Sequence, residues 1–284
     1  MDMTQNKCCR HGANLRRRRR RRRKILRSII FSCSIIVVAV FVAVGSSMIR
    51  SGDGRTNRYD VEAGNNTYDN AVIENSKISE KNKIQNNQSM LDDIMNSTQY
   101  PKQLKDLALK NEEALEFVYD YPAEHVKEHT IDLTEEASMD SVPLFVQWDK
   151  RWGYEKYSGN FFAASGCGPT TLSMVVVYLT HNREASPIAV AKYSKEAGYS
   201  VDGSGSSWTL ISEGCMHYGV KAKAVALDES RMKAELDEGH PIVVNVGPGD
   251  FTDTGHFMVI TGYDDERFSI NDPKKKKKSG KRWL

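Results

Sequence analysis

Apolar positions divide this chain into three stretches of different character. Residues 29–44 are apolar except for small Ser and Cys residues. Residues 50–98 are rich in Asn, Ser, Asp, Glu and Lys, with scattered single apolar residues too few to bury a core. From residue 99 onward the apolar positions become periodic. Leu104, Leu107, Ala108, Leu115 and Val118 recur at helical spacing, predicting two short helices, the second beginning near Asn111. Residues 142–148 form a short apolar run that turns at 149–153. Residues 172–179 are apolar nearly all round, which predicts a buried helix with Pro169 at its first position. Ser186-Pro187 caps a further helix closed by Gly198, a loop at 203–207 precedes a helix over 208–218, and Asp228 caps one ending at Gly239. Strands are expected late, at 220–227, 241–246, 256–262 and 268–271. Helices followed by strands predict an α+β fold.

Charge changes the picture at the N-terminus. The 284 residues sum to +3, but residues 1–27 carry +11 and the remainder −8. Residues 16–23 are eight consecutive arginines. Alone they could be a nucleic-acid arm, but they abut an apolar run of the length that spans a bilayer, about 20 residues. The positive-inside rule then puts the arginines in the cytoplasm and the chain beyond Arg50 outside, so no nucleic-acid partner is expected. The expected organisation is a basic cytoplasmic tail over 1–24, a transmembrane signal-anchor over 25–49 and a disordered extracellular stalk over 50–98. A single domain over 99–284 completes it, with leader helices at 99–125 and its catalytic part at 141–284. The alternative is secretion after cleavage near Ala43-Val44-Gly45. With two cysteines beyond residue 49, Cys167 and Cys215, the exterior is no disulfide scaffold, and no bridge between them is expected.

Candidate chemistry centres on Ser165-Gly166-Cys167-Gly168-Pro169-Thr170. A cysteine at a Gly-rich turn before a helix lies where the macrodipole favours thiolate. Residues 256–273 read as a hairpin turning at Asp264 and Asp265, so facing residue numbers sum to 528, give or take one or two. Asp272 then faces His256 at about 5 Å between Cβ atoms. A one-residue slip would substitute Asn271, because strand neighbours face opposite sides. A Cys with an Asp-held His is the layout of an activated thiol nucleophile. His125 and His129 lack the context of a zinc motif, and Cys215 and His217 stand on different helix faces. No metal or cofactor is expected.

The blocks Val142-Pro143, Gln147-x-Asp149-x-Arg151-Trp152, Gly166-Cys167-Gly168-Pro169-Thr170, Gly255-His256-Phe257, Thr261-Gly262-Tyr263-Asp264 and Asn271-Asp272-Pro273 resemble the C39-like cysteine peptidases of bacteria, a branch of the papain-like fold. The resemblance covers about two thirds of the chain, from near residue 99. It implies an N-terminal helical part packed on an antiparallel sheet, preceded here by the transmembrane anchor. Cys167 would be the nucleophile, His256 the general base and then acid, and Asp272 the orienting residue. Gln147 would donate to the oxyanion alongside the backbone N–H of Cys167. The implied function is a membrane-anchored extracytoplasmic cysteine peptidase with a monomeric ectodomain and a peptide or protein substrate. Alternatives are a cell-wall peptide amidase or acyl transferase on the same triad, and a catalytically silent surface-binding module. Members of the family usually continue past Asn-Asp-Pro into a closing helix. Here residues 274–278 are all lysine, read as a solvated loop, and the sequence then stops at Trp283-Leu284, so the expectation is either that the helix is missing or that the chain is truncated.

Overall fold

The structure, a computed structural model, describes residues 37–41, 66–265 and 267–283. The main elements are strand β1 (Val37–Phe41), helices α1 (Asn66–Asn96), α2 (Lys102–Lys110), α3 (Leu115–Tyr119), α4 (Cys167–Thr180) and α5 (Pro187–Glu196), strand β2 (Lys221–Val225), helix α6 (Glu229–Asp237), and strands β3 (Ile242–Val246), β4 (His256–Asp264), β5 (Arg267–Asn271) and β6 (Arg282–Trp283). The strands form one antiparallel sheet in the order β6-β5-β4-β3-β1-β2.

The local signals act as expected at most boundaries. The Ser186 hydroxyl accepts from the Ala189 N–H at 3.3 Å, and the Asp228 carboxylate accepts from the Arg231 N–H at 3.0 Å. Gly198, Gly219 and Gly239, which follow the elements they close, all have positive φ. Two boundaries differ. Helix α4 begins at Cys167 itself, with Pro169 in its first turn. The helix expected over 208–218 breaks at Glu213 into Thr209–Ser212 and a 3-10 turn, Gly214–Tyr218, and a Cβ at Gly214 would come within 3.0 Å of the Tyr199 ring.

The sheet has a different core on each face. Val243, Phe257 and Val259 pack with α4, whose Leu172, Met174, Val175, Val176 and Val177 are fully buried. Ile242, Val244, Met258, Ile260 and Ile270 point the other way, onto Met232 of α6. A third cluster joins the N-terminal helices to residues 148–163. The Phe117 ring stacks on Tyr154 at 4.2 Å, and a Cβ at Gly153 would sit 2.7 Å from that ring.

Two expectations need correction, at the stalk and at the C-terminal end, and five residues of the expected anchor lie in the sheet. The disordered stalk over 50–98 is a helix from Asn66 to Asn96, and residues 50–65 lie outside the described residues. Met90, Leu91 and Ile94 supply one apolar patch at helical spacing in an otherwise polar segment, and Ile94 is completely buried against α2 and α3. The transmembrane segment 25–49 also lies outside the described residues, except Val37–Phe41, which is a strand paired with β2 and β3 rather than part of a spanning helix. Its β-branched residues suit a strand, and a short apolar run does not by itself distinguish the two. Among the described residues no helix is long and apolar enough to cross a membrane. Finally, the chain does close after Pro273, with a short helix Lys276–Ser279 and with β6 on the edge of β5.

Docking of α1 gives a direct test. Ile94→Ala should cost about 2–5 kcal/mol, the range for a fully buried large-to-small change, read as a lower thermal midpoint. An unchanged midpoint would mean that α1 does not pack on the domain.

Candidate active site

Cys167 opens α4 at the end of the sheet, and His256 opens β4 beside it. Gly168 lets the first turn of α4 lie against Ser206, since a Cβ there would sit 2.5 Å from the Ser206 hydroxyl. Ser206 is in turn held by the Tyr157 hydroxyl at 2.6 Å, which also meets Ser194 at 2.8 Å. Cys167 is partly exposed at the floor of a cleft of about 580 Å³ that Gln147, Asn245, Gly255, His256 and Lys274 also line. Cys215 is likewise a free thiol, buried in the α4 core and away from the cleft.

His256 and Asp272 are both buried, and His256 Nε2 lies 2.7 Å from Asp272 Oδ1. The register that joins them is not the simple one. Near the turn, Tyr263 faces Phe268 and Asp264 faces Arg267, so facing numbers sum to 531. A bulge between Ile260 and Gly262 leaves Thr261 unmatched and changes the sum to 530, with Ile260 facing Ile270 and Val259 facing Asn271. Continuing that register, Asp272 stands opposite Met258, one diagonal step from His256 and on the same face. Had Thr261 been paired rather than bulged out, the odd sum would persist, and Asn271 would occupy that face instead. The bulge therefore selects Asp272. Asn271 points the other way and donates to the carbonyls of Val142 and Pro143 at 3.0 and 3.1 Å.

The segment around Asp272 is fixed from three directions. Its N–H donates to the Ser279 hydroxyl at 2.8 Å, and its Oδ1 also accepts the Lys274 N–H at 2.7 Å, an Asx turn through Pro273. The Gln147 N–H donates to the Pro273 carbonyl at 2.8 Å, and Trp148 Nε1 to that of Lys274 at 2.9 Å. Gln147 is itself buried, its side-chain amide donating to the Ala163 carbonyl at 2.5 Å. That bond uses one of the two amide hydrogens.

The electrostatics favour an ion pair. Burial pushes the Cys167 thiol up, but the hydrogen bond and charge of His256, the Phe257 N–H and the charge of Lys274 outweigh it, so its pKa falls below the ordinary thiol value. Burial pulls His256 down, but hydrogen bonds to Asp272 and Cys167 and the charges of both raise it to about 9. With Nε2 on Asp272, the ring nitrogen left for Cys167 is Nδ1. The arrangement favours a thiolate beside an imidazolium below the pH at which an ordinary thiol ionises.

The structure thus brings Cys167, His256 and Gln147 to one cleft, with Asp272 buried behind His256. Lys274 was missed, being read as the start of a solvated loop. Its signal lay in Asp272-Pro273, a turn former that directs the second residue on back toward the carboxylate.

The comparisons with known proteins agree in part of the chain. A family model described as "Peptidase_C39 like family" matches residues 139–284, just over half of the sequence. No curated protein and no solved structure gives a match.

The ion pair predicts a pH profile. Iodoacetamide should alkylate Cys167 rapidly well below pH ~8.5, the reference thiol pKa, and His256→Ala should remove that low-pH reactivity. His256 is the positive partner below about 9, so the pair spans the interval from the lowered thiol pKa up to that value. Asp272→Ala leaves burial less opposed at His256 and should narrow the interval from above. Asn271→Ala should leave the profile in place. Identical profiles in all four proteins would refute the pairing.

Proposed function

The chain belongs to the Peptidase_C39-like family, and from that membership we propose that it is a cysteine peptidase working through Cys167, His256 and Asp272, with Gln147 as an oxyanion donor. The observation that carries the reading is the buried His256–Asp272 bond, 2.7 Å long, beside a cysteine whose pKa is lowered. The Cys167 thiolate attacks the scissile carbonyl carbon and a C–S bond forms. The carbonyl oxygen takes the negative charge, met by the free N–H of the Gln147 amide and the backbone N–H of Cys167 at the start of α4, where first-turn amides lack intrahelical acceptors. As the C–N bond breaks, the His256 imidazolium passes its proton to the leaving amine. A water, deprotonated by His256, then attacks the thioester, releasing the acid and restoring the thiolate. Asp272 keeps its charge throughout and holds the imidazole in place.

Cys167→Ala should lower peptide hydrolysis by at least about 10³-fold, and Gln147→Ala by roughly 10²–10³-fold. A mass increase on Cys167 by a thiol-directed peptide probe should accompany turnover in the unchanged protein. Labelling with no hydrolysis of any peptide, but with transfer to an added amine, would favour the acyl transferase. Failure to label would favour the binding module.

On location, the reading from the sequence is an exported domain held by residues 25–49, supported by the arginine block beside the apolar run. Pairing of Val37–Phe41 within the sheet and a spanning helix over the same residues exclude each other in one molecule. The full chain made in bacterial cells should stay with membranes through a carbonate wash. Release by the wash would place the segment in the sheet.

A further inference from the structure

The fold divides the lysine run 274–278 by task. Lys276 lies 5.1 Å over the Trp148 ring, and Lys277 pairs with Glu112 at 3.3 Å. Lys278 donates to the Asp250 carbonyl and lies 4.7 Å over the Phe251 ring. These three are held by the protein. Among the described residues the ammonium groups of Lys274 and Lys275 have no ion pair, and both side chains are half-buried.

Lys274 stands at a junction. It lines the cleft with Cys167 and His256, and it also lines an adjoining hollow of about 370 Å³ with Lys110, Lys275 and Lys278. Asn160 and Ala164 border both spaces as well, so the cleft and the hollow form one groove. Asp106, Asp250 and Asp253 lie on the same hollow, but Asp106 is bound at 2.9 Å by Lys102. Cations are in excess there. The Lys274 backbone is immobilised at both ends, its N–H on Asp272 and its carbonyl accepting from Asn111 Nδ2 and Trp148 Nε1, each at 2.9 Å. An unpaired ammonium on an anchored backbone, beside the nucleophile, is a preformed receptor for an anion.

We propose that Lys274, supported by Lys275 and Lys110, binds a carboxylate of the substrate close to the bond under attack, so that the site selects peptides bearing an acidic group there. The carboxylate is an Asp or Glu side chain or a free C-terminus. The term substrate rests on the peptidase reading; the anion receptor at the cleft does not. The charge that Lys274 exerts on the Cys167 sulfur agrees with this placement.

Two measurements on the full chain separate these claims. Iodoacetate and iodoacetamide attack the same thiolate with the same leaving group and differ by one carboxylate. The ratio of their rates at Cys167 should fall about fivefold in Lys274→Gln and should fall with added salt in the unchanged protein. Lys192→Gln, the same charge change on the exposed side of α5, should leave the ratio alone. Because both reagents need the thiolate, a general loss of thiolate cancels in the ratio. Next, peptides matched as Glu against Gln at each position flanking the cleaved bond, and as free acid against amide at the C-terminus, are compared by kcat/KM. A preference for the carboxylate of roughly 10- to 100-fold is expected, levelled in Lys274→Gln and retained in Lys274→Arg. An unchanged alkylation ratio in Lys274→Gln overturns the proposal. Cleavage without any carboxylate preference also overturns it and leaves the peptidase reading standing. A shifted ratio with no peptide cleaved supports the anion receptor and counts against the peptidase.

Discussion

One hydrogen bond between two buried residues, His256 and Asp272, is what the rest of the site depends on. A carboxylate with no exposure to water must be paired, or its burial is prohibitively unfavourable. The imidazole needs that same carboxylate to stay charged in an apolar setting. Each group makes the other tolerable, and Cys167 completes the set by supplying a second negative partner to the ring. The cost of burying these charges explains why so much backbone converges on residues 271–274. Ser279, Gln147, Trp148 and Asn111 all bind that short segment, and each contact removes a way for Asp272 to move. A strand pair alone would leave the end of β5 free to fray. The two ends of the domain instead grip it, residues 111–148 from one side and the C-terminal turn from the other.

The same convergence explains why the N-terminal helices belong with the part of the chain that carries the cleft. Asn111, between α2 and α3, is buried and donates to the Lys274 carbonyl. Phe117 and Tyr154 stack across the junction. Residues far apart in sequence thereby share responsibility for the position of one carboxylate, and the boundary at residue 139 in the family match does not coincide with a boundary in the packing.

Much of this was legible in the chain. Cap residues such as Ser186 and Asp228 and the closing glycines act within a few positions of themselves, so their meaning survives without tertiary information. Cys167 and His256 were found because a helix start and a strand start are local features. What escaped depended on distant partners. Residues 66–96 are too polar to announce a docked helix, and one patch at Met90, Leu91 and Ile94 decides the matter only because α2 and α3 are there to receive it. The strand at Val37–Phe41 and a membrane span share the same apolar signal. Lys274 looked like its four neighbours, and only the turn at Asp272 sets it apart. The register count was near the truth yet two short, since neither the turn position nor the extra residue in β4 has a local signature.

That extra residue bears on how related sequences are compared. Thr261 is left out of the ladder, and the effect is felt ten residues away as a change of identity: with the bulge the second member of Asn271-Asp272 shares a face with the histidine, and in an unbroken ladder of the same length the first would. An alignment that runs ungapped through β4 and β5 treats the two strands as equivalent column by column and can credit the orienting role to the wrong neighbour. For a relative with the acidic and amide residues in reversed order, whether its strand carries the bulge has to be read before the acid is called lost.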